Sequence, residues 1–347
     1  MVSSGYLDIG RLGAGDKTMK KIALTDFVIP IVLAVFCLEI SDLPAADRIN
    51  LSVTNLTALE WDLLVAQDQG FFARQDLDVR ITYMAPQLVI NALMAGEANV
   101  AKSGTHFGIL AATRGADLKI IGSGLYGYPY DLISLPEFRS LADLKGQKLV
   151  GGALGSITTI IFKDVMTRSG IVPSDYLLLV VPGSGTRFQA LKSRQVAAAV
   201  AMAPPLNFSA IDSGMKVLLR YNDQVRDLQY LSYFVDPRFA SANRSLITRF
   251  LRAVAQSQAW INNAGNEKEA ARVLSRHLRI DENVASRTYR YMVTEGHGYR
   301  GEGKIDEAGL TEAIRLLAGY QLIPKRVPWQ TFGDASFIST AVTSGDR

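Results

Sequence analysis

From residue 49 to residue 219 the sequence changes period repeatedly, short strand-like apolar runs trading places with helix-length segments across brief loops. The runs at 49–53, 78–83, 98–102 and 118–122 predict strands, with helices over 59–69 and 86–95 and another ending at Arg114. After Tyr126-Gly127-Tyr128-Pro129-Tyr130 the pattern restarts. Strands are predicted at 131–135, 148–151, 177–181, 197–201 and 216–219, and helices at 157–168, 186–193 and 205–213. Each such strand has an apolar face that a neighbouring helix must cover, so the alternation points to mostly parallel α/β sheets. From Asn243 onward strands cease. Helix starts are predicted at Asn243, at Asn266 with Glu269 completing a capping box, at Asp281 and at Asp306.

A chain of 347 residues exceeds the roughly 250–300 at which a single core stops growing, so two lobes are expected. An internal echo agrees: ALMAGEANVA (92–101) and ALKSRQVAAA (190–199) each read as a helix end, a tight turn and a small-residue strand. Net charge is only +4 and no Lys/Arg cluster is dense enough to track a phosphate backbone, so no nucleic-acid partner is expected.

The amino terminus carries its own signal. Lys20 and Lys21 precede the apolar run at 27–38, and Leu43-Pro44-Ala45-Ala46 offers small residues for cleavage. This is the plan of a secretory signal peptide over residues 1–46, with Met19 a fitting start, and the run is too short to span a bilayer. Cys37, the sole cysteine, lies inside the run behind Phe36, where a lipid-attachment site needs a small residue. The mature chain would then hold no cysteine, which rules out disulfides, cysteine nucleophiles and thiolate metal sites. No metal site or cofactor is expected.

The stretch SLADLKGQKLVGGALGSITT (140–159) reads as a helical turn, a break at Gly146, a buried strand, and a Gly/Ser loop opening into an apolar helix. The first N–H groups of that helix have no partner within it, and they point the positive end of its dipole outward. A small anion would fit there. Ser156 capping its own helix is the competing explanation. Two further patterns fail on context. Gly122 to Gly127 matches GxGxxG but runs into Pro129 and an extended segment, and the GxxxxGK match ending at Lys304 has Ile305 in place of the hydroxyl residue.

Taken together, LLVAQDQGFF (63–72), DLDVRI (76–81), INALMAGEANVA (90–101), RGADLKIIG (114–122), SLADLKGQKL (140–149) and ALKSRQVAAAV (190–200) resemble one known family. It is that of the substrate-binding proteins of ABC importers of the nitrate/sulfonate/taurine type, with the related binders of thiamine pyrimidine precursors. The resemblance implies an α/β type II periplasmic binding protein, with two Rossmann-like lobes joined by two crossing strands and followed by C-terminal helices. It places lobe one at 47–131 and 222–330, lobe two at 132–221, and a tail at 331–347. Asn99, Ala197, Arg194 and Asp76 depart from the usual family pattern.

In parallel α/β sheets ligands bind beyond the carboxyl ends of the strands. Those ends, at 54–57, 103–106, 152–158, 183–187 and 202–205, give Asn55, Thr57, Ser103, Thr105, His106, Gly155, Ser156, Thr158, Thr186, Arg187 and Pro204 as candidate ligand-binding residues, with Trp61 a candidate for stacking. Arg187 is the group best shaped for a carboxylate or sulfonate, since its planar fork suits either anion. A solvated surface arginine and a Trp61 that merely packs its helix are the competing readings. Tyr128 and Tyr130 either line the cleft or stiffen the hinge. His106 reads as a hydrogen-bonding wall residue.

The resulting expectation is a monomeric, non-catalytic periplasmic receptor that delivers a small anionic organic solute to an ABC permease and its ATPase, and meets the membrane only through them. A same-fold enzyme acting on a small organic acid or pyrimidine, and a ligand-presenting sensor, are the alternatives.

Overall fold

The computed structural model describes residues 46–54, 56–152, 155–181, 183–225, 227–325 and 327–343. Residues 1–45 of the segment read as a signal peptide, Cys37 among them, and Asn55 lie outside them.

The chain begins with β1 (Asp47–Val53), α1 (Trp61–Asp68), β2 (Leu77–Tyr83), α2 (Pro86–Met94), β3 (Val100–Gly104), α3 (Thr105–Thr113) and β4 (Lys119–Tyr126). It then runs through β5 (Asp131–Ser134), β6 (Lys148–Gly151), α4 (Ile157–Arg168), β7 (Leu177–Val180), α5 (Ser184–Lys192), β8 (Ala198–Met202), α6 (Leu206–Asp212) and β9 (Lys216–Arg220). After β10 (Gln229–Val235) only helices follow: α7 (Pro237–Ala242), α8 (Arg244–Asn262), α9 (Glu267–Leu278), α10 (Glu282–Tyr289), α11 (Glu307–Gly319) and α12 (Ser336–Thr343).

The strands form two five-stranded sheets, ordered β2-β1-β3-β10-β4 and β7-β6-β8-β5-β9. The two orders are the same pattern. In each, the fourth strand is antiparallel to its neighbours while the first three run parallel. That reversed strand, β5 or β10, is also the first one entered after the chain changes sheets. The internal echo falls on equivalent places, the helix end before β3 and the helix end before β8. The fold is therefore the α/β, two-sheet binding-protein architecture.

β10 is a strand that reading by period misses. Its seven residues, QYLSYFV, are all buried, because it lies between β3 and β4 with covered faces. A strand buried on both sides shows no alternation to read. Two expected helix caps also differ. Asp281 and Asp306 accept main-chain N–H bonds as predicted, and Ser156 does the same at α4, which is the competing explanation for that loop. Asn243 and Asn266 make no side-chain cap; Asn263 instead caps the short turn before α9 through Gly265 N–H. The stretch read as a tail contains α12, which buries Phe337, Ile338 and Ala341. The GxGxxG residues 122–127 fall largely inside β4, which buries them in the sheet rather than presenting a phosphate loop.

Two segments carry the chain between the sheets, one from Tyr126 to Asp131 and one from Arg220 to Gln229. At the first, Gly127 takes a left-handed φ of +72°, and a Cβ there would strike Asn222 Oδ1. That oxygen accepts the Tyr128 N–H at 3.0 Å, tying the two crossings together. Gly127→Ala is expected to lose roughly 1–3 kcal/mol through backbone strain, plus this bond. Urea unfolding would show the lowered midpoint.

Candidate functional site

The parallel strands β1, β3 and β4 stop at Val53, Gly104 and Tyr126, and β6 and β8 stop at Gly151 and Met202. The crossings start and finish beside these ends. Asp131 pairs with Met202 and Arg220, and Gln229 with Tyr126. The carboxyl ends of both sheets thus meet the same pair of crossing segments, which is where such folds bind ligands.

Four buried tyrosines fill this junction: Tyr128 and Tyr130 from the first crossing, Tyr221 from the second and Tyr230 from β10. Tyr128 stacks on Tyr130 at 4.5 Å between ring centroids and meets Tyr221 and Tyr230 edge-on at 5.7 and 5.0 Å. The Tyr130 and Tyr230 hydroxyls are 3.0 Å apart. Tyr128 donates to Thr158 Oγ1 in the first turn of α4 at 2.5 Å, and Tyr221 to the Val200 carbonyl of β8 at 2.5 Å. Burial raises all four phenol pKa values, so the hydroxyls remain neutral donors.

Arg187 approaches the same rings from α5. It is only 6% exposed. Its Nε and Nη2 donate to the Ala201 carbonyl at 3.2 and 3.1 Å, Nη1 to the Val181 carbonyl at 3.1 Å, and Nη2 to Ser184 Oγ at 2.9 Å. Burial pulls its pKa down, and the tyrosines Tyr130, Tyr128 and Tyr230 are the groups close enough to oppose this. A guanidinium does not deprotonate in proteins, so the charge stays. Among the described residues no carboxylate pairs with it, whereas buried charges are ordinarily paired.

The first sheet contributes a second buried charge group that sequence reading missed. Lys102, Glu60 and Asp62 are each 0% exposed. Lys102 Nζ lies 2.6 Å from Asp62 Oδ1, 2.9 Å from Glu60 Oε2 and 2.8 Å from the Leu59 carbonyl. Tyr233 Oη and Gln258 Nε2 donate to Asp62 Oδ2, and Thr54 Oγ1 donates to Glu60 Oε1. Burial pulls the Lys102 pKa down, but two carboxylates more than offset it and hold it above the ordinary value. For Glu60 burial is the larger effect and raises its pKa, because it shares the one cation with Asp62. The group carries one more carboxylate than ammonium. A lysine between Ala101 and Ser103 in a small-residue strand was the available signal.

At the end of β3, Ser103 Oγ and both ring nitrogens of His106 are buried with no hydrogen-bond partner. Burial lowers the His106 pKa to about 3, leaving a neutral ring with one donor and one acceptor unused. Thr105 Oγ1 is engaged, 2.7 Å from Ser232 Oγ. The candidates therefore fall into groups. Thr158 and Arg187 are brought together around the tyrosines. Ser103, Thr105 and His106 share the end of β3, and Pro204, in a cis bond to Pro205, is buried after β8. Thr57 caps the turn before α1 through Leu59 N–H, and Ser156 caps α4. Gly155 and Thr186 are exposed. Trp61 packs inward: it is fully buried, its Nε1 donates to the Ala270 carbonyl at 3.0 Å, and Tyr289 meets it edge-on. A groove of about 470 Å³ lies elsewhere, among Phe208, Arg220, Arg287, Arg290 and Tyr291, and it has no buried unpaired charge to hold a solute.

The family described as NMT1/THI5 like matches residues 61–267, from α1 into the start of α9. The chain belongs to the NMT1/THI5-like family. No curated protein matches the sequence. The fold is shared with the alkanesulfonate-binding protein SsuA from Xanthomonas axonopodis pv. citri bound to MOPS, at 17% identity and a TM-score of 0.66, over 83% of this chain and 97% of that one. It is shared equally with the periplasmic nitrate-binding protein NrtA from Synechocystis PCC 6803, at 13% identity and a TM-score of 0.69, over 87% and 89%. A cysteine-to-serine mutant of DSZB in complex with biphenyl-2-sulfinic acid has it too, at 12% identity and a TM-score of 0.66, over 86% and 99%. These likenesses place this family member in the periplasmic binding-protein fold. No helix among the described residues is long and apolar enough to cross a membrane.

Two outcomes test the buried titratable groups. Lys102→Met would strand Glu60 and Asp62 without their cation, and is expected to cost about 3–5 kcal/mol in chemical unfolding at pH 7. His106 is held neutral with a pKa of about 3, below the unfolded value of roughly 6.5, so its contribution is present above pH 6.5 and lost as pH falls. Between pH 7 and pH 5 the wild type is expected to lose about 2 kcal/mol more than His106→Gln, at about 1.4 kcal/mol per pH unit. Equal losses in both proteins would contradict the assignment.

Proposed function

We propose that the protein is an exported solute receptor which binds a small anionic organic solute, a sulfonate or carboxylate, between its two sheets. Closure over the solute would convert occupancy into a shape recognised by an ABC permease. The observation that carries this reading is Arg187: a guanidinium almost wholly buried at the junction, held by carbonyls and one hydroxyl, with no carboxylate among the described residues to answer its charge. Holding it by its donors leaves its orientation fixed and its charge available. An anionic head group is the simplest group that completes it, as a charge-assisted pair.

The one hydroxyl proton not used within the Tyr130–Tyr230 pair and the α4 N-terminus beside Thr158 supply further donors, and the unpaired His106 and Ser103 line the end of the facing strand. In this reading Arg187 and Thr158 contact the solute, and His106 and Ser103 set what lies at its other end. Trp61, held to Ala270, takes no part in stacking. The names of the fold's neighbours support the choice of anion, since SsuA is an alkanesulfonate-binding and NrtA a nitrate-binding protein. The apolar run and small residues at 27–46 support export.

A thermal-shift screen of short alkyl and aryl sulfonates and carboxylates tests the reading. A solute at 100 times its dissociation constant adds about 2.7 kcal/mol to the wild type. Arg187→Gln is expected to lose that response for every anion in the panel while remaining folded by circular dichroism. A full response in the variant, or binding only of uncharged solutes to the wild type, would overturn it.

A further inference from the structure

A cluster beside the tyrosine junction, at Asp131 and Arg220, bears on how the two sheets are held against each other. Helix α10 runs directly into a π-helical turn, Arg290–Thr294. One side of this segment is anchored to the body of the first sheet. Tyr289 Oη donates to the Ile261 carbonyl at the end of α8 at 2.7 Å, and its ring meets Trp61 at 5.9 Å.

The other side reaches the second sheet and its helix. Tyr291 Oη donates to Asp131 Oδ1, the first residue of β5, at 2.6 Å, and its ring meets Phe208 of α6 edge-on at 5.8 Å. Arg287 grips both carboxylate oxygens of Asp212, at 3.0 and 2.8 Å, and lies 4.6 Å over the Phe208 ring. Glu295 accepts from Arg220 Nη1 at 3.1 Å, and that guanidinium lies 5.6 Å from the Tyr291 ring. The residues met on this side all belong to β5, α6 or β9, while the segment itself belongs to the helices behind the first sheet. Residues two apart on a helix project to roughly opposite sides, so Tyr289 and Tyr291 face the two bodies in turn.

The contacts differ in weight. Arg220 and Glu295 are about half exposed and water replaces their pairing readily. Tyr291 and Asp131 are 7% and 1% exposed, and the other Asp131 oxygen is taken by Asn207 Nδ2 at 2.9 Å. Parting the bodies would strip Asp131 of a buried donor.

We propose that the segment from Arg287 to Glu295 is a latch: Tyr291 seated on Asp131, flanked by the Arg287–Asp212 and Arg220–Glu295 pairs, favours the arrangement of the two sheets seen in this structure over a more open one. It sets affinity without touching solute, because a binding-competent state populated to a fraction f multiplies the apparent dissociation constant by 1/f. The role in affinity rests on the solute-receptor reading; the latch itself does not.

The test is small-angle X-ray scattering of the purified protein without added solute, comparing wild type with Tyr291→Phe. The variant keeps the ring and its packing on Phe208 and removes only the hydroxyl. A larger radius of gyration with an unchanged far-ultraviolet circular dichroism spectrum is expected. An unchanged radius for Tyr291→Phe overturns the latch. Should that variant fail to fold, Arg287→Gln takes its place, with a smaller increase expected and an unchanged radius again overturning the proposal. Since no solute is present, the two readings fail separately: wild type that binds no anion while Tyr291→Phe still opens removes the receptor reading and leaves the latch.

Discussion

The chain changes sheets twice, and both passages lie where parallel strands end. That constraint governs the rest of the architecture. It places the carboxyl ends of β3, β4, β6 and β8 around one junction, and it makes the segments at 126–131 and 220–229 into its floor. The two sheets repeat one strand order, so each lends the junction the same parts: strand ends, a helix N-terminus and an antiparallel strand arriving from the other side. Tyrosines fill the space, their rings packed at 4.5 to 5.8 Å and their hydroxyls reaching into both bodies.

Charge is distributed unevenly about this floor. On one side Lys102 is outnumbered by Glu60 and Asp62, and on the other Arg187 has no acid partner among the described residues. Ion pairs buried this deeply are costly to assemble, and removing one partner costs more than the pair contributes. The Lys102 group is closed by Leu59, Thr54, Tyr233 and Gln258, which gives it the character of a structural knot beneath the strand ends. Arg187 is closed by main-chain carbonyls that carry no formal charge. The same physical quantity, buried charge, therefore points to architecture at one place and to ligand at the other, with the presence or absence of a counter-ion deciding between them.

Much of the architecture was legible in the residues. Runs such as LVG at 149–151 followed by a Gly/Ser loop and an apolar helix leave few alternatives, and Ser156, Asp281 and Asp306 cap as their types predict. β10 was not legible, because a strand buried on both faces has no period of two to betray it. The Asn266–Glu269 box failed because Asn263 caps the turn before it, a choice set by backbone geometry three residues upstream. At the site, Arg187 and Thr158 could be placed from strand ends alone. Lys102, Glu60 and Asp62 could not: charged residues read as solvated until a fold shows them meeting across 40 positions of sequence. Tyr221 and Tyr230 join Tyr128 and Tyr130 only through the second crossing, a contact that no local pattern encodes.

The central claim is that Arg187 carries the charge which an anionic solute completes. The most direct measurement follows the Arg187 Nε–H resonance by heteronuclear NMR in the wild-type protein while a binding sulfonate or carboxylate is titrated. The account predicts that this signal shifts and saturates together with those of the tyrosine junction. Saturable shifts elsewhere on the molecule, with the Arg187 signal unmoved, would contradict it.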